Sequence, residues 1–146
     1  MRPFARILST AAILAVPAFG AAAEESVTYK NLLTPLLSTG TTVIDQQIAY
    51  PEGTPKITAA IVTIPPGGET GWHLHRVPLF VYILEGEVTV DYGSKGVKVV
   101  KAGDTMLEAV DWAHNGMNKT DKPLRILAVY MGAEGVANAE TAPGPQ

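Results

Sequence analysis

The sequence has 146 residues, no cysteine and a formal net charge of −3. This length and an apolar content of 47% fit one domain with its own hydrophobic core. The lack of cysteine excludes disulfides, a thiolate nucleophile and a sulfur-ligated metal. Lys and Arg are nowhere clustered, which argues against nucleic acid or an anionic membrane surface as a partner.

Residues 1–23 predict a secretory signal peptide. Arg2 and Arg6 precede the apolar run Ile7–Phe19, and three alanines ending at Ala23 offer a cleavage site after that residue. The run is shorter than the roughly 20 residues that a membrane span needs, so an uncleaved anchor is the less favoured alternative. Cleavage would leave nine basic and fourteen acidic side chains, a net charge of −5. We therefore expect a periplasmic or secreted protein with no stable membrane insertion after cleavage.

Residues 24–41 are predicted to form an N-terminal arm. Leu32, Leu33, Leu36 and Leu37 have helical spacing, which predicts either a short amphipathic helix over residues 29–37 or a packed arm. Pro35 weakens the helix prediction because proline disrupts helical hydrogen bonding. An arm that covers an open sheet edge is favoured over a helix that binds a partner.

Residues 42–132 read as short β-strands separated by Gly, Pro and Asp turns. The predicted strands are Thr42–Ile48, Lys56–Ile64, Gly71–His75, Leu79–Leu84, Glu87–Tyr92, Val97–Val100, Asp104–Glu108, Trp112–Met117 and Leu124–Met131. No long helix separates them, so an all-β antiparallel sandwich or barrel is favoured over a parallel α/β sheet. Residues 133–146 are small, polar and proline-bearing, and are predicted to be a disordered tail.

The three histidines of the chain fit a metal site. His73 and His75 alternate with Leu74, so a strand would direct both imidazoles to the same face with backbones about 6.6 Å apart. His114 lies in another predicted strand, which a curled sheet could bring opposite the pair. Imidazole nitrogens are common ligands of divalent metal ions.

Two segments resemble the paired motifs of the cupins. The first motif, G-x5-H-x-H-x3-E-x6-G, falls on Gly67, His73, His75, Leu79 and Gly86. The second motif, G-x5-P-x-G-x2-H-x3-N, falls on Gly103, Ala109, Asp111, His114 and Asn118. Both spacings are kept without insertion, and the resemblance covers Thr42 to Met131. It implies a double-stranded β-helix, or jelly-roll barrel, with one divalent metal ion held by His73, His75 and His114.

Three motif positions differ from the family pattern. Leu79 replaces a glutamate ligand, while Ala109 and Asp111 replace a proline and a glycine in the turn before His114. Three neutral imidazoles would leave the full dipositive charge on the ion, which favours acidic bound water and anionic ligands. The loss of the glutamate also fits a site that has decayed, so Leu79 supports either reading. We expect the other two changes to alter only the turn.

The sequence does not identify the metal or the reaction. Imidazoles suit iron, zinc, copper and nickel, and resemblance to three-histidine cupin dioxygenases favours iron(II). Glu69 and Glu108 are candidates for a base or a fourth ligand, with a solvated carboxylate as the favoured interpretation of both. No catalytic residue is assigned.

The predicted function is that of an exported metal-binding cupin, acting as a small-molecule oxidoreductase of the dioxygenase kind. The alternatives are a non-catalytic module that binds a small ligand or a metal, and a structural cupin whose pocket is filled by side chains. A homodimer is compatible with all three, because a jelly roll leaves sheet edges open.

Overall fold

A computed structural model describes residues 32–144. The chain divides into two units, Met1–Leu33 and Thr34–Gln146, and the strands found among the described residues lie in the second. The predicted signal peptide and the start of the arm lie outside the described residues. The strands are β1 (Pro55–Ile64), β2 (His73–Leu74), β3 (Leu79–Glu85), β4 (Glu87–Asp91), β5 (Val97–Lys101), β6 (Thr105–Leu107), β7 (Asn115–Met117), β8 (Leu124–Ala133) and β9 (Glu140–Thr141).

Within residues 32–144 the strands form three antiparallel sheets. The largest has the order β1-β8-β3-β6, the second has the order β5-β4-β7, and β2 pairs with β9. The strands β1 and β8 pair along ten residues, from Pro55 opposite Ala133 to Ile64 opposite Leu124. A short 3-10 helix, Gly93–Lys95, connects β4 to β5. Within residues 32–144 no helix is long and apolar enough to cross a membrane.

The hydrophobic core lies between the two larger sheets. Alternate residues of β3 (Leu79, Val81 and Ile83) are buried together with Val88 and Val90 of β4. This alternation is what the period of a strand requires when one face of a sheet packs on the other sheet. The core therefore joins the two sheets as expected for an all-β jelly roll.

In the described part of the chain, the three sheets do not close into one hydrogen-bonded barrel. Only isolated bridges connect β2 to the segment before β7, including His73 with His114 and His75 with Val110. Positive φ angles at Gly71 and Asp111 interrupt the ladder beside these bridges. The prediction of a closed barrel is therefore wrong, whereas the prediction of an all-β jelly roll is confirmed.

The segment before β1 lies along the open edge of the largest sheet. The carbonyl of Leu36 accepts a 3.0 Å hydrogen bond from Oγ1 of Thr105, and the amide of Val43 donates one of 2.8 Å to the carbonyl of Leu107. Residues 33–39 are irregular, so the described part of the predicted helix is absent. The strand predicted at Thr42–Ile48 is instead a turn closed by one bridge, Thr41 with Gln47.

The predicted disordered tail is not what the structure shows over residues 133–144. Within them, β9 pairs with β2, and the amide of Ala142 donates a 3.0 Å hydrogen bond to the carbonyl of Trp72. The guanidinium of Arg76 contacts the Glu140 carboxylate at 3.0 Å. Composition suggested disorder because the tail has few apolar residues of its own, but β2 supplies an edge to which it pairs.

Candidate metal centre

The main chain brings the two histidine segments together. The amide of His73 donates to the carbonyl of His114 at 3.0 Å, and the amide of His114 donates to the carbonyl of His73 at 2.9 Å. Residues that exchange both hydrogen bonds face each other in an antiparallel pair. The sequence motifs are therefore joined at the residues that carry the imidazoles.

Each imidazole is oriented by a main-chain carbonyl. The three Nδ1 atoms lie 2.8 Å from a carbonyl oxygen: that of Gly71 for His73, that of Asn138 for His75 and that of Trp112 for His114. A carbonyl can only accept a hydrogen bond, so each Nδ1 carries the proton. Each neutral ring is left with its lone pair on Nε2, which is the arrangement found in histidines that bind metals.

The three rings converge on one point. Their ligand nitrogens all lie within 4.8 Å of one another, and the ring centroids of His73 and His114 are 4.5 Å apart. Burial lowers the pKa of His75 to about 3 and also lowers the pKa of His73. These rings are therefore neutral near pH 7 and ready to bind a cation. The structure brings together all three histidines predicted from the sequence.

The imidazoles line a cavity of about 150 Å³ between the sheets. Ten of its seventeen lining residues carry aliphatic or methionine side chains, among them Leu79, Val81 and Ile126. Besides the histidines, the polar side chains of the lining are those of Thr70, Glu108 and Tyr130. The site is thus a small, mostly apolar pocket with a few converging polar groups, as expected for a small-molecule site.

Glu108 is part of this pocket. The residue is 5% exposed, and Oε1 accepts a 2.6 Å hydrogen bond from the hydroxyl of Tyr92 and a 2.8 Å hydrogen bond from the amide of Ala109. Its Oε2 lies 3.9 Å from Nε2 of His114. Burial, followed by the charge of Glu108, raises the pKa of Tyr92, so the phenol remains a donor. The interpretation of Glu108 as a solvated carboxylate is wrong.

Two motif departures have structural consequences. Asp111 has a φ of 53°, which lies in the left-handed region and explains why the motif has a glycine at this position. The Asp111 carboxylate lies 2.8 Å from the guanidinium of Arg76. Ala109 supplies an N–H to Glu108, which a proline could not. The expectation that position 109 alters only the turn is therefore corrected.

The other acidic candidate lies outside the pocket. Glu69 accepts a 2.9 Å hydrogen bond from the side-chain amide of Asn115 and does not line the cavity. Sequence reasoning missed Tyr130, whose inward position follows from its alternation with Ile126 and Ala128 along β8. It also missed the Asn138 carbonyl, which no pattern in the sequence marks.

Comparison with known proteins agrees with this fold. Residues 60–130 match the cupin domain family. An oxalate decarboxylase from Lactobacillus farciminis, solved with formate, is 28% identical, with a TM-score of 0.51 over 58% of this chain and 26% of that chain. An uncharacterized protein with a double-stranded β-helix domain from Klebsiella pneumoniae is 20% identical, with a TM-score of 0.53 over 84% of this chain and 94% of that chain.

A third similar structure is that of a DMSP lyase from Ruegeria pomeroyi. It is 21% identical, with a TM-score of 0.52 over 59% of this chain and 43% of that chain. The present chain therefore spans about a quarter of the oxalate decarboxylase and less than half of the lyase. No curated protein matches the sequence.

The family match and the jelly-roll fold identify residues 60–130 as a cupin domain. Its three histidines form a group that could hold a metal ion. The donor set also fits a divalent ion on chemical grounds, because three neutral imidazoles present their lone pairs to one point.

Proposed function

We propose that this protein is an exported cupin that holds one divalent metal ion through His73, His75 and His114 and acts on a small molecule. The supporting observation is the convergence of one ring nitrogen from each histidine at an apolar cavity, while the Nδ1 atom of each ring lies 2.8 Å from a carbonyl oxygen. Iron(II) is the favoured ion, with zinc, copper and nickel as the others that this donor set accepts. When bound, the ion would supply Lewis acidity and, if it is iron(II), one-electron redox chemistry.

The residues around the histidines have separate roles in this proposal. The aliphatic walls, which include Val81, Val88 and Ile126, exclude water and hold the apolar part of a substrate. Burial, followed by the charge of Glu108, raises the pKa of Tyr130, so its hydroxyl stays protonated and can donate a hydrogen bond into the cavity. Oxidation of the dioxygenase kind is the reaction class that we favour for such a pocket.

Metal content tests the central part of this proposal. The protein lacking residues 1–23, purified without a histidine tag, should contain about one iron, zinc, copper or nickel ion per chain by mass spectrometry. A His73→Ala, His75→Ala double variant should contain none. Glu69→Gln is the matched control, because Glu69 lies near β7 but outside the cavity, and it should keep the metal. A native protein that takes up no metal even under anaerobic reconstitution would contradict the proposal.

Turnover separates an enzyme from a binding module. Oxygen consumption by the iron-loaded protein, measured with a panel of small substrates, should exceed that of the double histidine variant. Stoichiometric metal without any turnover would instead support the non-catalytic alternative.

Export and self-association are further parts of the proposal. Cleavage of the predicted signal peptide would give a secreted or periplasmic protein that begins at Glu24, which N-terminal sequencing can check. The edge strand β1 exposes Ile57 and Ile61, which could pair two copies of the chain. Light scattering should then give a dimer mass for the native protein and a monomer mass for Ile61→Lys.

A further inference from the structure

The orientation of the Glu108 carboxylate is fixed, and one of its oxygens has no donor. Oε1 accepts from the Tyr92 hydroxyl and the Ala109 amide. Within residues 32–144 no protein group donates a hydrogen bond to Oε2, which lies on the cavity side, 3.9 Å from Nε2 of His114. Oε2 is therefore an acceptor without a protein partner, on a residue that lines the cavity, and it is available to whatever occupies that cavity.

Oε2 of Glu108 and Nε2 of His114 cannot satisfy each other. The His114 ring carries its proton on Nδ1, so Nε2 is an acceptor, and 3.9 Å is too long for a hydrogen bond. Two acceptors that face each other need a cation or a donor between them. If Nε2 of His114 held the ion, Oε2 would remain able to accept a hydrogen bond from a donor group on a molecule bound in the cavity.

Two sequence departures combine to produce this acceptor. Position 79 carries an apolar side chain on the cavity wall, where the motif has a glutamate. Position 109 carries alanine, and only a residue other than proline can supply the N–H that holds Glu108. A carboxylate is thus absent from one wall and fixed at another, where it reduces the positive charge that three imidazoles alone would leave on the ion.

The remaining walls favour an uncharged molecule. Among the described lining residues there is no Lys or Arg, and most of the surface is aliphatic. A dicarboxylate would bring two negative charges next to Glu108 with only the metal ion to balance them, which is costly in an apolar pocket. The cavity of about 150 Å³ would be shared with the metal ion, so a bound molecule can be no larger than about the size of benzene.

We propose that Glu108 is a specificity-determining residue, and that the substrate is a small, neutral and largely apolar compound whose hydroxyl donates a hydrogen bond to Oε2. This inference rests on the proposed metal site. It assigns a substrate class different from the acid named for the oxalate decarboxylase that resembles part of this chain. A pocket that hydrogen-bonds a hydroxyl discriminates strongly against an analogue that lacks it, because the acceptor is then left without a partner.

The test compares the affinities of three ligands for the zinc-loaded protein, measured by nuclear magnetic resonance titration. Phenol and benzene differ by one hydroxyl, and oxalate represents the dicarboxylates. The native protein should bind phenol at least tenfold more tightly than benzene, and more tightly than oxalate. Glu108→Gln can keep the two hydrogen bonds at Oε1 but turns an N–H donor toward the cavity, to which the phenol hydroxyl cannot donate, so it should reduce the preference for phenol and improve oxalate binding.

Metal content and fold are measured on the same samples. Glu108→Gln should retain zinc, and Glu69→Gln should behave as the native protein does. Tyr92→Phe, which keeps the charge but loosens the carboxylate, should reduce the phenol preference only in part. An unchanged ratio of phenol to benzene affinity in Glu108→Gln would overturn the inference. Loss of zinc as complete as in the histidine variant would also overturn it, since Glu108 would then be a metal ligand.

A native protein that binds no zinc is a different result. It would remove the proposed metal site itself, and it is distinguished from a failure at Glu108 by the zinc stoichiometry.

Discussion

The main-chain carbonyl of Asn138 accepts a 2.8 Å hydrogen bond from Nδ1 of His75, 63 residues earlier in the chain. The segment after β8 therefore fixes the orientation of a metal-binding ring, and Ala139 next to it lines the cavity. This segment is held mainly through the short β2–β9 pairing and an ion pair between the half-exposed side chains of Arg76 and Glu140.

Removing this segment should weaken metal binding without unfolding the domain. A chain that stops after Val136 loses the carbonyl that orients His75, and the loss of such an outer partner lowers metal affinity about 10- to 100-fold. Competition with a chromophoric chelator measures the affinity. A chain that stops at Gly144 keeps the whole described segment and should bind as the native protein does. Equal zinc affinities for the two shortened chains would refute a role for Asn138.

The stability of the metal-free protein should fall as the pH falls below 6.5. Burial lowers the pKa of His75 to about 3, so between pH 6.5 and 3 the unfolded chain binds a proton that the folded protein does not. The stability contributed by this neutral ring is present above pH 6.5 and is lost as the pH falls, by about 2 kcal/mol at pH 5. Urea unfolding at pH 7 and pH 5 measures the difference.

A His75→Gln variant isolates this effect from that of the carboxylates. It should show a smaller loss of unfolding free energy between the two pH values than the native protein. If the two proteins lose the same amount, the His75 ring does not contribute.

Restoring the motif glutamate at position 79 should make stability depend more strongly on metal. Leu79 is buried on the cavity wall, so Leu79→Glu places an unpaired carboxylate there and should cost several kcal/mol without metal. Added zinc should raise the melting temperature of Leu79→Glu more than that of Leu79→Gln, which has a similar shape and no charge. Equal increases in the two variants would mean that position 79 does not reach the ion.

Two motif glycines should differ in their tolerance of a side chain. Gly67 and Gly86 both have positive φ angles, of 71° and 80°. A Cβ on Gly67 meets nothing within 4 Å, whereas a Cβ on Gly86 would lie 2.7 Å from the carbonyl oxygen of Pro123. Gly67→Ala should therefore cost only about 1–2 kcal/mol of backbone strain. Gly86→Ala should lower the free energy of unfolding, measured with urea, by clearly more than Gly67→Ala does. Equal losses would show that the Pro123 segment moves to make room for the side chain.

The sequence predicts those parts of the site that depend on local periodicity. The alternation of His73 and His75 sets two imidazoles on one face, and the alternation of Leu79 and Val81 sets two apolar side chains on the cavity wall. Periodicity does not predict the partner of Glu108. The Tyr92 hydroxyl lies 16 residues away in the chain, and only the packing of the sheets brings the two side chains together.

The ends of the domain were the least predictable part. Residues 42–48 have the composition of a strand, but they form a turn whose Val43 amide reaches Leu107. Residues 133–144 have the composition of a disordered tail, yet β9 forms because β2 offers an edge. In both places a tertiary partner, rather than local propensity, decides the conformation.

The pair of main-chain hydrogen bonds between His73 and His114 has a consequence for how an ion would enter the protein. Because backbone pairing sets the two motifs side by side, we expect the three histidines to be in place before the metal arrives, unlike sites that fold only around their ion. We therefore expect ions to exchange within the folded protein. Which metal resides there would then depend on the supply in the surrounding compartment and on the intrinsic preference of imidazole, rather than on the conditions under which the chain folded.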